Sequence, residues 1–193
     1  IEDFFFFFFF FIEEAISRGA IVIVTEPINL IFITKYPNVT FVFVDHVINF
    51  LGEQASTLSK ILDDEIIAVT GSAGKTTCVR VLESVISELF PEKQVIRMYK
   101  YRLTPITLPL MYFETLLGDK DFSKRTVILE MATDNPGCIN TLCSILQPTI
   151  SVVLNVEDAH INIFGSQDAI AKAKSEIVLG TKSGGVTFLN AND

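Results

Sequence analysis

The stretch Ile67-Ala68-Val69-Thr70-Gly71-Ser72-Ala73-Gly74-Lys75-Thr76-Thr77 constrains this chain more than any other. An apolar run that reads as a buried strand, Glu65 to Thr70, breaks into a loop of small residues. Lys-Thr-Thr follows, and then a helical pattern from Thr76 to about Phe90 with Val79, Leu82, Val85, Ile86 and Leu89 on one stripe. Strand, small-residue loop and helix in this order suit the capture of phosphate. Glycines let backbone N–H groups turn toward anionic oxygens, and the helix begins with its positive end at the same point. Lys75 is placed to reach the outer phosphates of ATP or GTP, and the Thr76 hydroxyl to take magnesium. The loop is shorter than the G-x-x-x-x-G-K-[ST] pattern, which would need glycine where Val69 stands; here it is G-x-x-G-K-T. The alternative is a strand-to-helix turn whose glycines only bend and cap.

At 193 residues the chain can bury a core in one or two domains. Its formal charge of −8 and the lack of a basic cluster argue against nucleic acid as a partner. Cys78, Cys138 and Cys143 fit neither a metal spacing nor a disulfide framework, which suits reduced thiols in a cytoplasmic protein. The apolar start has no basic leading region and is flanked by Asp3 and Glu13-Glu14, unlike a secretory signal. No apolar stretch is long enough to span a membrane, so no membrane insertion is expected, and the protein is expected to be a monomer. The run Phe4 to Phe11 carries no periodicity; it reads as a buried strand or helix start, with a membrane-surface anchor or a homopolymer tract in the gene as the alternatives.

The chain divides near residue 60. Before it, strands are expected over Ala20 to Thr25, Leu30 to Thr34 and Val39 to Val44, with a short helix from Ile12 to Arg18 and a second, capped by Asp45, running through Leu58. After it, strands are expected at 65–70, 94–98, 125–131, 149–155 and 185–190, and helices at 76–90, 137–146 and 166–179. Such alternation predicts an α/β fold with a parallel sheet, the phosphate loop at the C-terminal end of its strand. The end at Leu189-Asn190-Ala191-Asn192-Asp193 follows a strand directly and reads as the end of a fragment.

Further along, Glu130 ends an apolar strand where an acid beside the phosphate loop would hold magnesium; the alternative is a surface acid. His160 follows the next strand and the acidic turn Glu157-Asp158, as a ligand or as a structural histidine. Lys172 and Lys174 lie on the helix from about Ser166, where a solvated face is the simple expectation. Asn190 ends the last strand, able to meet a nucleotide base or to form a turn.

Taken together these residues resemble the Mur ligases of peptidoglycan synthesis. The resemblance is carried by Val69 to Thr77, Leu129-Glu130-Met131 with Pro136-Gly137, Asn155 with Ala159-His160, Phe164-Gly165-Ser166, Ala171 to Ile177, and Leu189-Asn190. Phe11 to Ala15 with Arg18-Gly19-Ala20 is similar to the end of the family's UDP-sugar-binding domain. Pro136-Gly137 and Ala171-Lys172-Ala173-Lys174 are most like the branch that adds D-alanyl-D-alanine to UDP-N-acetylmuramoyl-tripeptide. The branch that adds the third residue, diaminopimelate or lysine, is the near alternative; folylpolyglutamate synthase, a non-catalytic nucleotide-binding relative and an unrelated P-loop ATPase are further ones.

The resemblance implies residues 1–60 as part of the sugar-binding domain and 61–193 as a truncated central ATP-binding domain. It implies ATP and Mg2+ as cofactors, and UDP-N-acetylmuramoyl-peptide and D-Ala-D-Ala as substrates joined through an acyl phosphate. Gly71, Ser72, Ala73, Gly74, Lys75, Thr76 and Thr77 would cradle the nucleotide, with Asn155 and Asn190 completing its contacts. Thr76 and Glu130 would bind the first magnesium, His160 would help hold a second, and Lys174 matches the lysine carried as a carbamate, a metal-directed anion. Lys75, His160 and Lys174 would be catalytic. The chain departs from the family pattern at Asn135 (histidine), Cys138 (glutamate), Ile161-Asn162 (Leu-Glu) and Leu103 to Leu110, which lacks an expected Asn and Gly. A diverged member is implied, and the chain alone is expected to bind nucleotide weakly and to catalyse poorly.

Overall fold

A computed structural model describes residues 11–27, 30–98, 101–117, 123–157 and 161–192. The phenylalanines before Phe11 and His160 lie outside the described residues. The chain forms two compact units, Ile1–Phe50 and Leu51–Asp193.

In the first unit residues 11–17 are helical, followed by β1 (Val22–Thr25), α1 (Leu30–Lys35) and β2 (Thr40–Phe43). β1 and β2 pair in parallel, Val22 opposite Thr40 and Thr25 opposite Phe43. That pairing corrects the strand expected over Leu30 to Thr34. Two adjacent parallel strands need a crossover between them, and a helix supplies it. A short apolar run cannot be assigned to helix or strand by pattern alone. Lys35 and Tyr36 donate to Glu13 Oε1 at 2.6 and 3.1 Å, tying the end of α1 to the leading helix.

The second unit takes in most of α2 (Val47–Ile61) and then β3 (Glu65–Thr70), α3 (Lys75–Leu89), β4 (Gln94–Met98), α4 (Thr107–Glu114), β5 (Arg125–Glu130), α5 (Cys138–Ile145), β6 (Ile150–Val153), α6 (Ile161–Phe164), α7 (Gln167–Gly180) and β7 (Val186–Leu189). Five parallel strands run in the order β4-β5-β3-β6-β7. Alternation along β3 divides the core. Ile66 and Ala68 face a cluster that includes Ala55, Leu108, Met111, Leu142 and Ile177, so α2, α4, α5 and α7 cover that side. Ile67 and Val69 face Val79, Leu82 and Ile86 of α3 on the other. Each fully buried aliphatic chain contributes about 1.5–3 kcal/mol.

β3 has β5 on one side and β6 on the other. From β3 the chain crosses to β4, beyond β5; from β6 it crosses the opposite way to β7. The C-terminal ends of β3 and β6 therefore flank a topological switch point, where open α/β sheets bind ligands. α4 was not anticipated. Pro109 stands in its first turn, the part of a helix where proline is tolerated. Thr104 and Thr107 exchange bonds before it, the Thr107 N–H to Thr104 Oγ1 at 3.0 Å and the Thr104 N–H to Thr107 Oγ1 at 2.9 Å. Leu103 joins the core at 6 % exposure.

Candidate functional site at the end of the central strand

Gly71 leaves β3 against the segment that follows β6. A Cβ at Gly71 would lie 2.9 Å from Leu154 Cβ and 3.4 Å from Asn155 N, so the close approach demands glycine. Gly74 precedes the first turn of α3 with φ +78, the left-handed region that glycine enters without penalty. No side chain caps this helix, and its first backbone bond runs from the Cys78 N–H to Gly74 O at 2.9 Å. The N–H groups of residues 74–77 thus take no protein acceptor among the described residues. Four open donors at a helix start form an anion cradle.

Lys75 Nζ folds back to donate to Gly71 O at 2.7 Å and Ser72 O at 3.2 Å. Thr76 Oγ1 lies 2.9 and 3.1 Å from the two oxygens of Glu130, at the end of the neighbouring β5. The register brings that about, since Val69 pairs with Glu130. Thr70 Oγ1 donates to Met131 O at 2.8 Å and the Met131 N–H donates to Val69 O at 2.9 Å, which fixes the strand end that carries the carboxylate.

Lys174 is not on a solvated face. It is 6 % exposed on the inner side of α7, with Ile170, Ala173 and Ile177 also buried. Burial, and then the charge of Lys75, hold its ammonium well below the ordinary lysine value, at about 8. α7 is seated on α5 by two contacts. Glu176 accepts from the Gly137 N–H at 2.6 Å and the Asn140 N–H at 3.0 Å, capping α5 from outside. A Cβ at Gly180 would meet Cys143 Cβ at 2.5 Å, so a glycine is needed there. Burial pushes the Cys143 thiol up to about 12, with the Glu176 charge adding to the effect.

The phosphate loop, Glu130, Asn155 and Lys174 therefore gather at one end of the sheet. Asn190 stands beyond β7, and its Oδ1 accepts from the Asn192 N–H at 3.1 Å, closing its own turn. Pattern reading missed what the Asn155 and Glu176 side chains hold. Both were visible as residues, but their partners lie 82 and 36–39 positions away. Among the described residues no three His, Cys, Asp or Glu side chains gather as a metal cluster, and no helix is long and apolar enough to cross a membrane.

Lys174 carries a stability prediction. Its folded value lies below its unfolded one, near 10.5, so the unfolded chain binds more protons between about pH 8 and 10.5. The penalty is full below about pH 8 and fades toward 10.5. In CO2-free buffer Lys174→Met is expected to raise the melting temperature at pH 7 by about 2–5 °C. Thermal scans of both proteins should show that gain shrinking toward pH 10; a constant gain would mean Lys174 keeps an ordinary titration.

The fold and site define a P-loop domain of the parallel α/β class. The Mur ligase middle domain matches residues 69–193, and the chain belongs to the Mur ligase family. It is 37% identical over 134 residues to the UDP-N-acetylmuramoyl-tripeptide–D-alanyl-D-alanine ligase of Mycobacterium leprae, covering 66% of this chain and 23% of that protein. It is 27% identical over 181 residues to the ligase of that name from Haemophilus influenzae, covering 93% of this chain and 37% of that protein. The crystal structure of MurF ligase from Thermotoga maritima in complex with ADP superposes with a TM-score of 0.79 at 27% identity, over 95% of this chain and 40% of that one. A MurF structure from Acinetobacter baumannii gives 0.73 at 26%, over 92% and 36%. The chain thus spans well under half the length of these relatives.

Proposed function

We propose that this chain is the nucleotide-binding part of an ATP-dependent amide ligase that adds D-alanyl-D-alanine to UDP-N-acetylmuramoyl-tripeptide, with residues 1–60 as part of its sugar-binding domain. The observation that carries this is the meeting of four open amides, Lys75, the Thr76–Glu130 pair and the desolvated Lys174 at one strand end. The relatives matched are ligases of this name, and one was solved with ADP.

The residues present fit magnesium. Thr76 Oγ1 and the Glu130 carboxylate are hard oxygen donors within 3.1 Å of each other. Two protein ligands suit an ion that keeps water and phosphate oxygens as its other partners. When bound, magnesium ATP would supply the phosphoryl group that activates a substrate carboxylate as an acyl phosphate, releasing ADP, so that an attacking amine could displace phosphate. The chain's own part is positioning and charge. The amides of residues 74–77 hold phosphate oxygens, and Lys75 turns from the loop carbonyls toward the outer phosphates. Lys174 meets the first requirement for a carbamate, an amine that loses its ammonium proton near neutral pH; attack of the neutral amine on CO2 would form the N–C bond and release a second proton from the nitrogen. The product is an anion beside Lys75, suited to metal. His160 is proposed to help hold a second magnesium, and Asn190 to lie near the base.

The test is a substrate panel on the full-length gene product. ADP release dependent on both UDP-N-acetylmuramoyl-tripeptide and D-Ala-D-Ala is expected. Release dependent instead on diaminopimelate or lysine would reassign the chain to the third-residue branch. Magnesium-dependent ATP binding without turnover would make it a non-catalytic relative.

A further inference from the structure

Besides the Lys75 bonds to its own carbonyls, the loop between β3 and α3 is braced from outside by the segment after β6. Asn155 grips one residue of the loop from both sides. Its Oδ1 accepts from the Ala73 N–H at 2.9 Å and its Nδ2 donates to Ala73 O at 3.3 Å. Its backbone O accepts from the Ser72 N–H at 3.1 Å. Two positions on, the Glu157 N–H donates to Ser72 Oγ at 2.9 Å, and that hydroxyl lies 3.1 Å from Glu157 O. Leu154 and Asn155 also form the wall against which Gly71 is pressed. The amide of Asn155 acts here as a strand neighbour would, offering an acceptor and a donor to a single backbone residue.

This bracing sorts the loop's donors into two sets. The N–H groups of Ser72 and Ala73 are spent on Asn155, while those of residues 74–77 remain open. A G-x-x-G-K-T loop has too few residues to wrap a phosphate with its whole length, so its usable donors are those at the start of α3.

We propose that Asn155 is a positioning residue: it touches no part of the nucleotide, and by fixing the Ser72-Ala73 backbone it aims the amides of residues 74–77 at the phosphates, with Ser72 and Glu157 as the second point of the brace. The proposal rests on the nucleotide reading above. It also has a ligand-free consequence, that the Ala73 amide is shielded from solvent exchange by the Asn155 side chain alone.

The test uses the 193-residue chain, Asn155→Ala, Ser72→Ala and the double variant. In amide hydrogen exchange without ligand, Asn155→Ala is expected to speed exchange at Ala73 at least tenfold while Ile67 and Val69 in β3 stay slow. Unchanged exchange at Ala73 would overturn the brace. Binding of magnesium ADP, magnesium ATP and inorganic pyrophosphate is then followed by phosphorus NMR. Asn155→Ala should weaken all three by one common factor, about tenfold, the scale of a lost pair of hydrogen bonds. The double variant should lose less than the product of the single losses, since both changes release one loop. A loss confined to ATP would mark Asn155 as a direct contact with the outer phosphate and overturn the proposal, as would equal binding by the variants and the parent. If Asn155→Ala does not fold, Ser72→Ala alone must show a uniform loss across the three ligands. Failure of the full-length gene product to bind any of them would overturn the nucleotide reading itself, a result separate from parent-like binding in the variants.

Discussion

Lys75→Ala is expected to cut the affinity for magnesium ATP by about a hundredfold while leaving the melting temperature unchanged or slightly higher. The Lys75 ammonium makes only two bonds, both to carbonyls of its own loop, and no carboxylate lies within ion-pair distance among the described residues. Folding therefore draws little from it. It also sits close enough to Lys174 to depress that lysine's affinity for protons, so removing it relieves a repulsion between like charges. In the bound state the same ammonium gains a phosphate partner in a partly desolvated loop, where charge-assisted bonds are strong. Calorimetry of nucleotide binding beside a thermal scan separates the two effects. A loss of affinity under threefold would mean that the ligand does not sit over this loop. A large drop in melting temperature would mean that the loop carbonyls depend on the ammonium. The Lys174 titration should also move up in this variant.

The largest expected loss of stability lies away from the site, below the opposite end of the sheet. Asp64 precedes β3 and Arg125 opens β5; they are 6 % and 1 % exposed, and Arg125 Nε donates to Asp64 Oδ1 at 2.9 Å. Tyr112 of α4, wholly buried, donates its hydroxyl to Asp64 Oδ2, and Arg125 Nη2 donates to Thr115 Oγ1 at 2.9 Å. Burial and the neighbouring Asp64 keep the Tyr112 phenol protonated far above its ordinary range. Asp64→Ala would strip the carboxylate from a buried guanidinium and leave a phenol without its acceptor. Breaking a buried pair from one side costs about 3–5 kcal/mol. Urea unfolding should register that loss, and the variant should sit near the edge of folding at 37 °C. Replacing Asp64 and Arg125 together by apolar residues of similar volume should cost much less, because no charge is then left stranded. A cost under about 1 kcal/mol for Asp64→Ala would mean that water reaches the pair.

Local pattern carried the strands well. Residues 65–70 were legible as an apolar run between Glu65 and the loop glycine, and 94–98 as a short segment around Val95-Ile96, and the strands follow those limits as Glu65–Thr70 and Gln94–Met98. The phosphate loop was legible because strand, small-residue loop and helix all lie within a few positions. Glu130 was legible as the polar end of an apolar strand, although only the register of β5 against β3 puts it beside Thr76. What failed depended on partners distant in sequence. Leu30 to Thr34 became helix because β1 and β2 are neighbours, which no window of five residues can reveal. Val85 and Leu89, expected on the same stripe of α3, are exposed; among the described residues the sheet beneath meets Cys78, Val79, Leu82 and Ile86. Lys174 looked like a surface residue because lysine on a helix usually is one, and family resemblance rather than periodicity singled it out. The Asp64–Arg125 pair was invisible for the same reason as the Asn155 brace: its members are 61 positions apart.

The place of β3 in the sheet bears on how the chain acquires its structure during synthesis. Glu65 finds its first sheet partner at Thr126, and Ile67 its second at Ile150. The central strand must therefore emerge from the ribosome and wait while about 60 residues are made before its first partner and about 80 before its second, with Ile66, Ile67 and Val69 lacking their sheet neighbours meanwhile. Parallel pairing between such distant segments is slow to nucleate. The β3–α3 segment is thus the natural client for a nascent-chain chaperone, and slower translation before residue 125 would lengthen its exposure rather than help it fold.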